Sequence, residues 1–248
     1  MTILLILLLS VALVLLLVCL LVMLHFLRSS RLARNRELQL ARVPQQGRFD
    51  ASAQSVPNCW LAIRSDNPQR VQEALGLLKP KPCSWEEGLS AAREQKLFIS
   101  PAVDGWVLVM GSSLPEPSQD VDKCFHFLVA LSRKLGCVHF FNAHRVLLHH
   151  AWVEADHGRI QRAYAWAGQT VWNQGRVSKA ELDIGLRCFD YGESAESSYF
   201  APADPAAFNT SRVKMLAARW SVDPASLGAR MPRETRGIAG ELARSRYS

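Results

Sequence analysis

Histidines and carboxylates that could act together lie close in the sequence between residues 144 and 157. His144 and His150 are followed by Glu154 and Asp156, and an imidazole beside a carboxylate is a common pairing in general acid and base catalysis. These four residues are the candidate catalytic group of a hydrolase. Its chemistry requires a hairpin that brings an imidazole within hydrogen-bonding distance of a carboxylate.

The strand pattern over the same stretch argues against a shared site. His149 and His150 are adjacent on a predicted strand, so their side chains point to opposite faces of a sheet. Asp156 belongs to a turn sequence, where an aspartate commonly caps its own backbone. The spacings HxH, HExxH and GxSxG do not occur, and neither do the glycine patterns of phosphate-binding loops. The sequence therefore predicts no metal site and no cofactor.

Tryptophan is abundant, with seven residues in the chain. Trp152 and Trp166 lie on two predicted strands that face each other across a hairpin, where cross-strand aromatic pairs stabilise a sheet. Core packing is the usual role of such residues, and a surface for a partner is the alternative. We take these two tryptophans as the candidate binding residues for a protein partner.

The segment Gly111-Ser112-Ser113 follows a predicted strand and is a candidate of another kind. Small residues in this position can bind an anion, but Pro115 and Pro117 follow closely. That composition favours an ordinary loop. We therefore assign no ligand to the segment.

The start of the chain is almost entirely apolar. Between residues 3 and 24 only Ser10 and Cys19 interrupt the apolar run, and the first charged side chain is Arg28. About 20 such residues suffice to cross the hydrocarbon core of a bilayer as a helix. A cleaved signal peptide would have a basic start, a shorter apolar run and small residues at the cleavage site, which this segment lacks. Residues 1–27 are therefore predicted to form a transmembrane helix.

Basic residues follow this helix directly. Residues 28–48 contain six arginines and one acid, Glu37. Positive residues beside a span stay on the cytoplasmic side, so we expect a single-pass protein with its N-terminus outside and its main domain in the cytoplasm. The cysteines beyond the span are widely spaced and odd in number, which suits a reducing compartment. The arginines expected to meet the lipid headgroups are Arg28, Arg31, Arg34 and Arg36.

The net charge of +7 raises the question of nucleic-acid binding. Residues 28–48 and 207–248 carry +5 each, which leaves −3 on the middle of the chain. A domain that grips a phosphate backbone concentrates lysine and arginine on its own surface. The expected partners are therefore the lipid bilayer and a protein, and nucleic acid is not expected.

The middle of the chain alternates between short apolar runs and amphipathic stretches. The order is one strand, two helices, two strands, one helix and one strand, followed by a further hairpin. This order is typical of an α+β fold of the ferredoxin-like βαββαβ type, in which helices cover one face of a mixed or antiparallel sheet. The predicted strands are 59–63, 97–99, 106–110 and 138–141, the predicted helices 68–78, 84–94 and 121–135, and the added hairpin 146–155 with 160–167.

Local signals mark several ends of these elements. Capping boxes predict helix starts at Ser84 with Glu87 and at Ser178 with Glu181. The run Lys79-Pro80-Lys81-Pro82 is expected to end the first helix. By composition the chain divides into a transmembrane helix (1–27), a basic juxtamembrane tether (28–57), an α+β globular domain (58–195), a helical extension (196–228) and a disordered basic tail (229–248).

These observations favour one functional class over another. The leading hypothesis is a membrane-anchored cytoplasmic binding or regulatory domain without evident catalytic machinery, because no group of residues has the spacing of a catalytic motif. The alternative is a membrane-tethered hydrolase that uses a histidine and a carboxylate on the 144–157 hairpin. The two differ in geometry, since only the enzyme needs those side chains to converge in a concave site.

Overall fold

The structure is a computed structural model and describes residues 56–193, 204–231 and 234–242. These ranges fall within the structural unit that spans Ala51 to Ser248. The predicted transmembrane helix and the tether up to residue 55 lie outside the described residues. None of the helices in the described ranges is long and apolar enough to cross a bilayer.

A single antiparallel sheet dominates the fold, which confirms the α+β class. Its strands are β1 (Cys59–Arg64), β2 (Leu77–Cys83), β3 (Leu97–Ile99), β4 (Trp106–Met110), β5 (Val138–His144), β6 (His149–Asp156), β7 (Arg159–Trp166), β8 (Thr170–Gln174) and β9 (Gly237–Leu242). The nine strands pair in the order β2-β9-β3-β4-β1-β5-β6-β7-β8. The helices of the described ranges are α1 (Pro68–Leu75), α2 (Trp85–Arg93), α3 (Val121–Leu135), α4 (Lys179–Asp183), α5 (Pro205–Trp220) and α6 (Pro224–Arg230).

Helices pack against both faces of the sheet, so the prediction that they cover one face is wrong. On the α3 face, Leu61 and Ile63 of β1 belong to the same core as residues of α1 and α3. On the α5 face, Trp60 and Ala62 pack with residues of α2, α5 and α6. The physical reason lies in β1 itself, because a strand that is apolar at every position has two faces to shield from water.

The prolines predicted to end the first helix lie instead in an edge strand. The helix α1 ends one residue before Gly76, whose positive φ of 64° provides a left-handed cap. The chain then enters β2, which contains Pro80 and Pro82 and, among the described strands, pairs with β9 at one edge of the sheet. Proline has no N–H to donate, and at the edge of a sheet none is needed on the outer side.

The prediction of a disordered tail over 229–248 is wrong where the structure describes it. Strand β9 inserts between β2 and β3 and runs antiparallel to both. Its glycines permit this close approach, since a Cβ on Gly237 would lie 2.3 Å from Cε2 of Phe98 and one on Gly240 would lie 2.9 Å from Cδ2 of Leu77. The predicted end of the globular domain at residue 195 is also wrong. Helix α5 and strand β9, which follow it in the chain, pack into the core of the sheet domain.

Gly88 is required where α2 crosses β3. A Cβ at this position would lie 2.2 Å from Cδ2 of Phe98, whose side chain is fully buried. We expect Gly88→Ala to lower the free energy of unfolding by about 1–3 kcal/mol through overpacking, which outweighs the better helix propensity of alanine. Urea denaturation followed by tryptophan fluorescence measures this change. Ser90→Ala, at an exposed position of the same helix, is the control and should leave stability within about 0.5 kcal/mol; equal stability of both variants would contradict the packing.

Candidate functional site

The four residues of the candidate catalytic group do not converge. His144 is the last residue of β5, and its Nδ1 accepts a hydrogen bond from the backbone N–H of Leu147 at 3.2 Å in the turn that follows. His150 is buried, with Nδ1 3.0 Å from Oγ1 of Thr210 on α5. Glu154 is four residues further along the same strand, a separation of about 13 Å at the usual rise of a strand.

Asp156 does contact a histidine, but both side chains are exposed to solvent. Its Oδ1 lies 2.8 Å from Nδ1 of His157, and the two side chains are 43% and 80% exposed, His157 being the more exposed. His157 belongs to the turn between β6 and β7, where its φ is 45°. A pair so open to solvent offers no concave site for a substrate. The geometry therefore does not assemble the hydrolase site predicted on the 144–157 hairpin.

His150 has a packing role on the α5 face. Its ring stacks against Trp152 and Trp166, with interplanar angles of 11° in both cases. Burial lowers the pKa of His150 to about 3, so the ring is neutral at physiological pH. With Thr210 on one nitrogen and Asn209 at 3.4 Å from the other, this histidine fixes α5 to the sheet.

Trp152 and Trp166 are core residues, so the prediction that they form a partner-binding surface is wrong. Their exposed fractions are 0% and 4%. The indole N–H of Trp152 donates to Oε1 of Glu181 at 2.7 Å, and Trp166 packs against Phe189 with ring centroids 5.1 Å apart. The helix α5 and the segment that contains Phe189 cover this face, which the sequence pattern of the hairpin alone could not indicate.

A buried ion pair connects β7 to the start of α4. Nη2 of Arg162 lies 2.9 Å from Oε1 of Glu181, and the two side chains are 2% and 0% exposed. Arg162 also donates to the side-chain oxygen of Asn173, and the backbone N–H of Ser178 donates to Glu181. Burial alone would raise the pKa of Glu181, but the hydrogen bonds from Arg162 and Ser178 outweigh it and hold the pKa below its usual value. With every charge paired, this cluster is structural.

A cysteine and a histidine meet at the start of β5, a contact that the sequence analysis missed. Sγ of Cys137 lies 3.4 Å from Nε2 of His139. Burial raises the pKa of Cys137 to about 11 and lowers that of His139 to about 4. A nucleophilic cysteine needs its thiolate form at neutral pH, so this pair is unsuited to covalent catalysis. Alternate residues of one strand share a face, which is the signal that could have found the contact.

The described ranges contain no set of side chains suited to bind a metal ion. There, no group of three or more histidine, cysteine, aspartate or glutamate side chains is arranged to hold a metal ion.

A groove of about 890 Å³ lies where β3 begins and where β4 and β9 end. We call it the sheet-end groove; residues 94–96, 112–116 and 241–242 line it, together with Leu78 and the start of α3. Its volume lies in the range of small-molecule and peptide sites. The signal in the sequence was weak, because these segments are far apart in the chain and residues 241–242 belong to the predicted disordered tail.

Local chain geometry forms one wall of the sheet-end groove. After β4 the backbone passes so close to Lys96 that a Cβ on Gly111 would lie 2.3 Å from the Lys96 carbonyl oxygen. The backbone N–H of Ser112 then donates to the carbonyl of Ala92 at 3.2 Å. These contacts hold the Gly111-Ser112-Ser113 segment against α2, so the loop is a fixed wall.

The charges of the sheet-end groove are unbalanced. Four carboxylates line it against the ammonium groups of Lys96 and Lys123, which leaves a net charge of −2. The charge of one carboxylate is partly neutralised, because the ammonium group of Lys96 lies 4.0 Å from the carboxylate of Glu94. The charge of Glu116 adds to burial in raising the pKa of the core thiol Cys124. The four carboxylates are those of Glu94, Glu116, Asp120 and Glu241.

Both polar and apolar residues line the groove. The side-chain oxygen of Ser113 is buried and has no hydrogen-bond partner in the described structure. Leu78 is 50% exposed, and Leu114 is 3% exposed. Mixed apolar and polar lining with an unused polar atom is typical of a binding site.

No family model matches the chain, and neither the curated proteins nor the solved structures contain a significant match.

Proposed function

We propose that this chain is a membrane-anchored binding domain whose ligand site is the sheet-end groove. The observation that carries the proposal is the volume of that groove, about 890 Å³, together with its excess of carboxylates. The N-terminal apolar run is the proposed anchor, and the arginines behind it support a cytoplasmic position for the domain. The dispersal of His144, His150, Glu154 and Asp156 favours binding over hydrolysis.

We further infer that the centre of the sheet domain is a ferredoxin-like unit. Strands β1, β3, β4 and β5, with α1 and α3, follow the βαββαβ order along the chain. Their order in the sheet, β3-β4-β1-β5, supports this inference. On this view β2, α2, β6–β8 and β9 are additions, and the groove forms where the unit meets the added β9.

The anchor and its orientation are tested by protease treatment of intact cells. We expect the domain to resist added protease until the membrane is permeabilised, and to stay with the membrane fraction after alkaline washing. Deletion of residues 1–27 should release it to the soluble fraction. Digestion of the domain in intact cells would contradict the proposed topology, and a soluble full-length chain would contradict the anchor.

Ligand binding at the groove is tested by filling it. A displayed random-peptide library is enriched on the full chain held in phosphatidylcholine nanodiscs, and the enriched peptides are then tested on Gln119→Trp. Gln119 is exposed and lines the groove, so an indole there should occupy part of the volume and reduce binding at least tenfold.

The matched control is Ser90→Trp, which adds the same side chain at an exposed position of α2 outside the groove. We expect it to bind the enriched peptides as the wild type does. Failure to enrich any peptide, or equal binding by Gln119→Trp, would refute the proposed site.

A further inference from the structure

The chemistry of the sheet-end groove selects among ligands, an inference that rests on the proposed function. Two readings compete, because the groove combines features of an anion site with features of a cation site. The features of an anion site are the Gly111-Ser112-Ser113 segment, the start of α3, and the two lysines Lys96 and Lys123. The features of a cation site are the four carboxylates.

Two backbone donors at the α3 N-terminus are already used within the helix end. The backbone N–H of Lys123 donates to Oδ1 of Asp120 at 2.9 Å, and that of Cys124 donates to the Asp120 carbonyl at 3.2 Å. Asp120 and Asp122 already supply negative charge at this helix end. A further anion there would meet two carboxylates before it reached a donor.

The charge of the groove favours a cation. The groove carries −2, and of its two ammonium groups that of Lys96 lies beside Glu94. Glu116 and Glu241 form no ion pair with Lys96 or Lys123 within 4.0 Å in the described structure. The unpartnered hydroxyl of Ser113 can donate or accept a hydrogen bond, so it marks a polar contact for a ligand, and the charges of the groove decide the sign of that ligand.

The apolar part of the wall points to a side chain with a long stem. Leu78 and Leu242 face the groove beside Glu241. Arginine and lysine bury their methylene stems along apolar surface while the charged head reaches polar groups, and a guanidinium has several donors in one plane for neighbouring carboxylates. The volume of about 890 Å³ holds more than one such side chain, as a peptide segment would present.

We propose that the sheet-end groove binds a basic peptide segment of a protein partner, with arginine side chains paired to Glu116 and Glu241. The apolar residues beside those arginines pack on Leu78 and Leu242. Binding of this kind is screened by salt, so the affinity should fall as ionic strength rises.

The test uses the full chain in phosphatidylcholine nanodiscs, which carry no anionic lipid to bind the probe. The probe is a short fluorescent peptide in which arginine alternates with leucine and glycine, and binding is read as anisotropy. Versions with glutamine or glutamate in place of arginine are compared. We expect the arginine peptide to bind most tightly, and weaker binding at higher salt.

Two double variants separate a local effect from a change in net charge. The first double variant, Glu116→Gln with Glu241→Gln, removes the carboxylates proposed to pair with the peptide's arginines. The second, Glu73→Gln with Glu86→Gln, removes two exposed carboxylates outside the groove. An exposed ion pair contributes up to about fivefold in affinity. The first double variant should therefore bind the arginine peptide about 20-fold more weakly, and the second as the wild type does.

Each outcome decides between the proposals. Equal loss in both double variants, or equal binding of the glutamine peptide, would overturn the preference for basic peptides. If neutral or acidic peptides bind and Gln119→Trp abolishes that binding, the groove is a site of another specificity and the proposed function stands. If no peptide of any charge binds, the proposed function fails as well.

Discussion

We expect Arg162→Met to lower the free energy of unfolding by about 3–5 kcal/mol. The substitution keeps most of the side-chain length but leaves the carboxylate of Glu181, which is 0% exposed, without its cation. A buried charge without a partner is costly because the protein interior solvates it poorly. Urea denaturation of the full chain in detergent micelles, followed by tryptophan fluorescence, measures the change.

The double variant Arg162→Met with Glu181→Leu is the matched control. It removes both charges, so no unpaired ion remains and we expect part of the lost stability to return. A change below about 1 kcal/mol in Arg162→Met would contradict the burial of this pair, because exposed ion pairs contribute about that much or less.

We expect mild acid to destabilise the fold through His150. The pKa of this ring is about 3 in the folded chain, against an ordinary value of 6.5, because the ring is buried. As pH falls below 6.5, the unfolded chain binds a proton at this site and the folded chain does not, so the free energy of unfolding decreases. The loss approaches about 1.4 kcal/mol per pH unit for one histidine and continues until pH approaches 3.

Unfolding free energies between pH 7 and pH 5 test this prediction. His139, with a pKa of about 4 for the same reason, contributes in the same direction. His150→Gln should therefore remove about half of the pH dependence. An unchanged slope in His150→Gln would contradict the neutral, stacked ring that holds α5 to the sheet.

Sequence signals that act over a few residues predicted the local structure well. The capping boxes of Ser84 with Glu87 and of Ser178 with Glu181 are both present. The turn at Asp104-Gly105 has positive φ values at both residues. Caps and tight turns are satisfied by neighbours in the chain, so their chemistry is readable without the tertiary fold.

Strands β2 and β9 could not be predicted because their stability depends on distant partners. Pro80 and Pro82 argue against a strand except at an edge, and the sequence does not say which strand is the edge. Gly237 and Gly240 have low strand propensity, yet they permit close packing against Phe98 and Leu77.

The candidate site was missed for a related reason. The predicted residues His150, Trp152 and Trp166 are conspicuous in the sequence because they are large and could do chemistry, and burial beneath α5 leaves them structural. The residues of the sheet-end groove are ordinary exposed types such as Glu116 and Glu241. Only the pairing of β9 with β2 and β3 brings them to one place.

Hydrogen exchange of the full chain with and without the arginine peptide tests the central claim, that the sheet-end groove is the binding site, most directly. If the peptide binds in the groove, exchange should slow at backbone amides of residues 94–96, 112–116 and 241–242, with little change in the β6–β7 hairpin. Protection confined to the hairpin, or to α5, would contradict it.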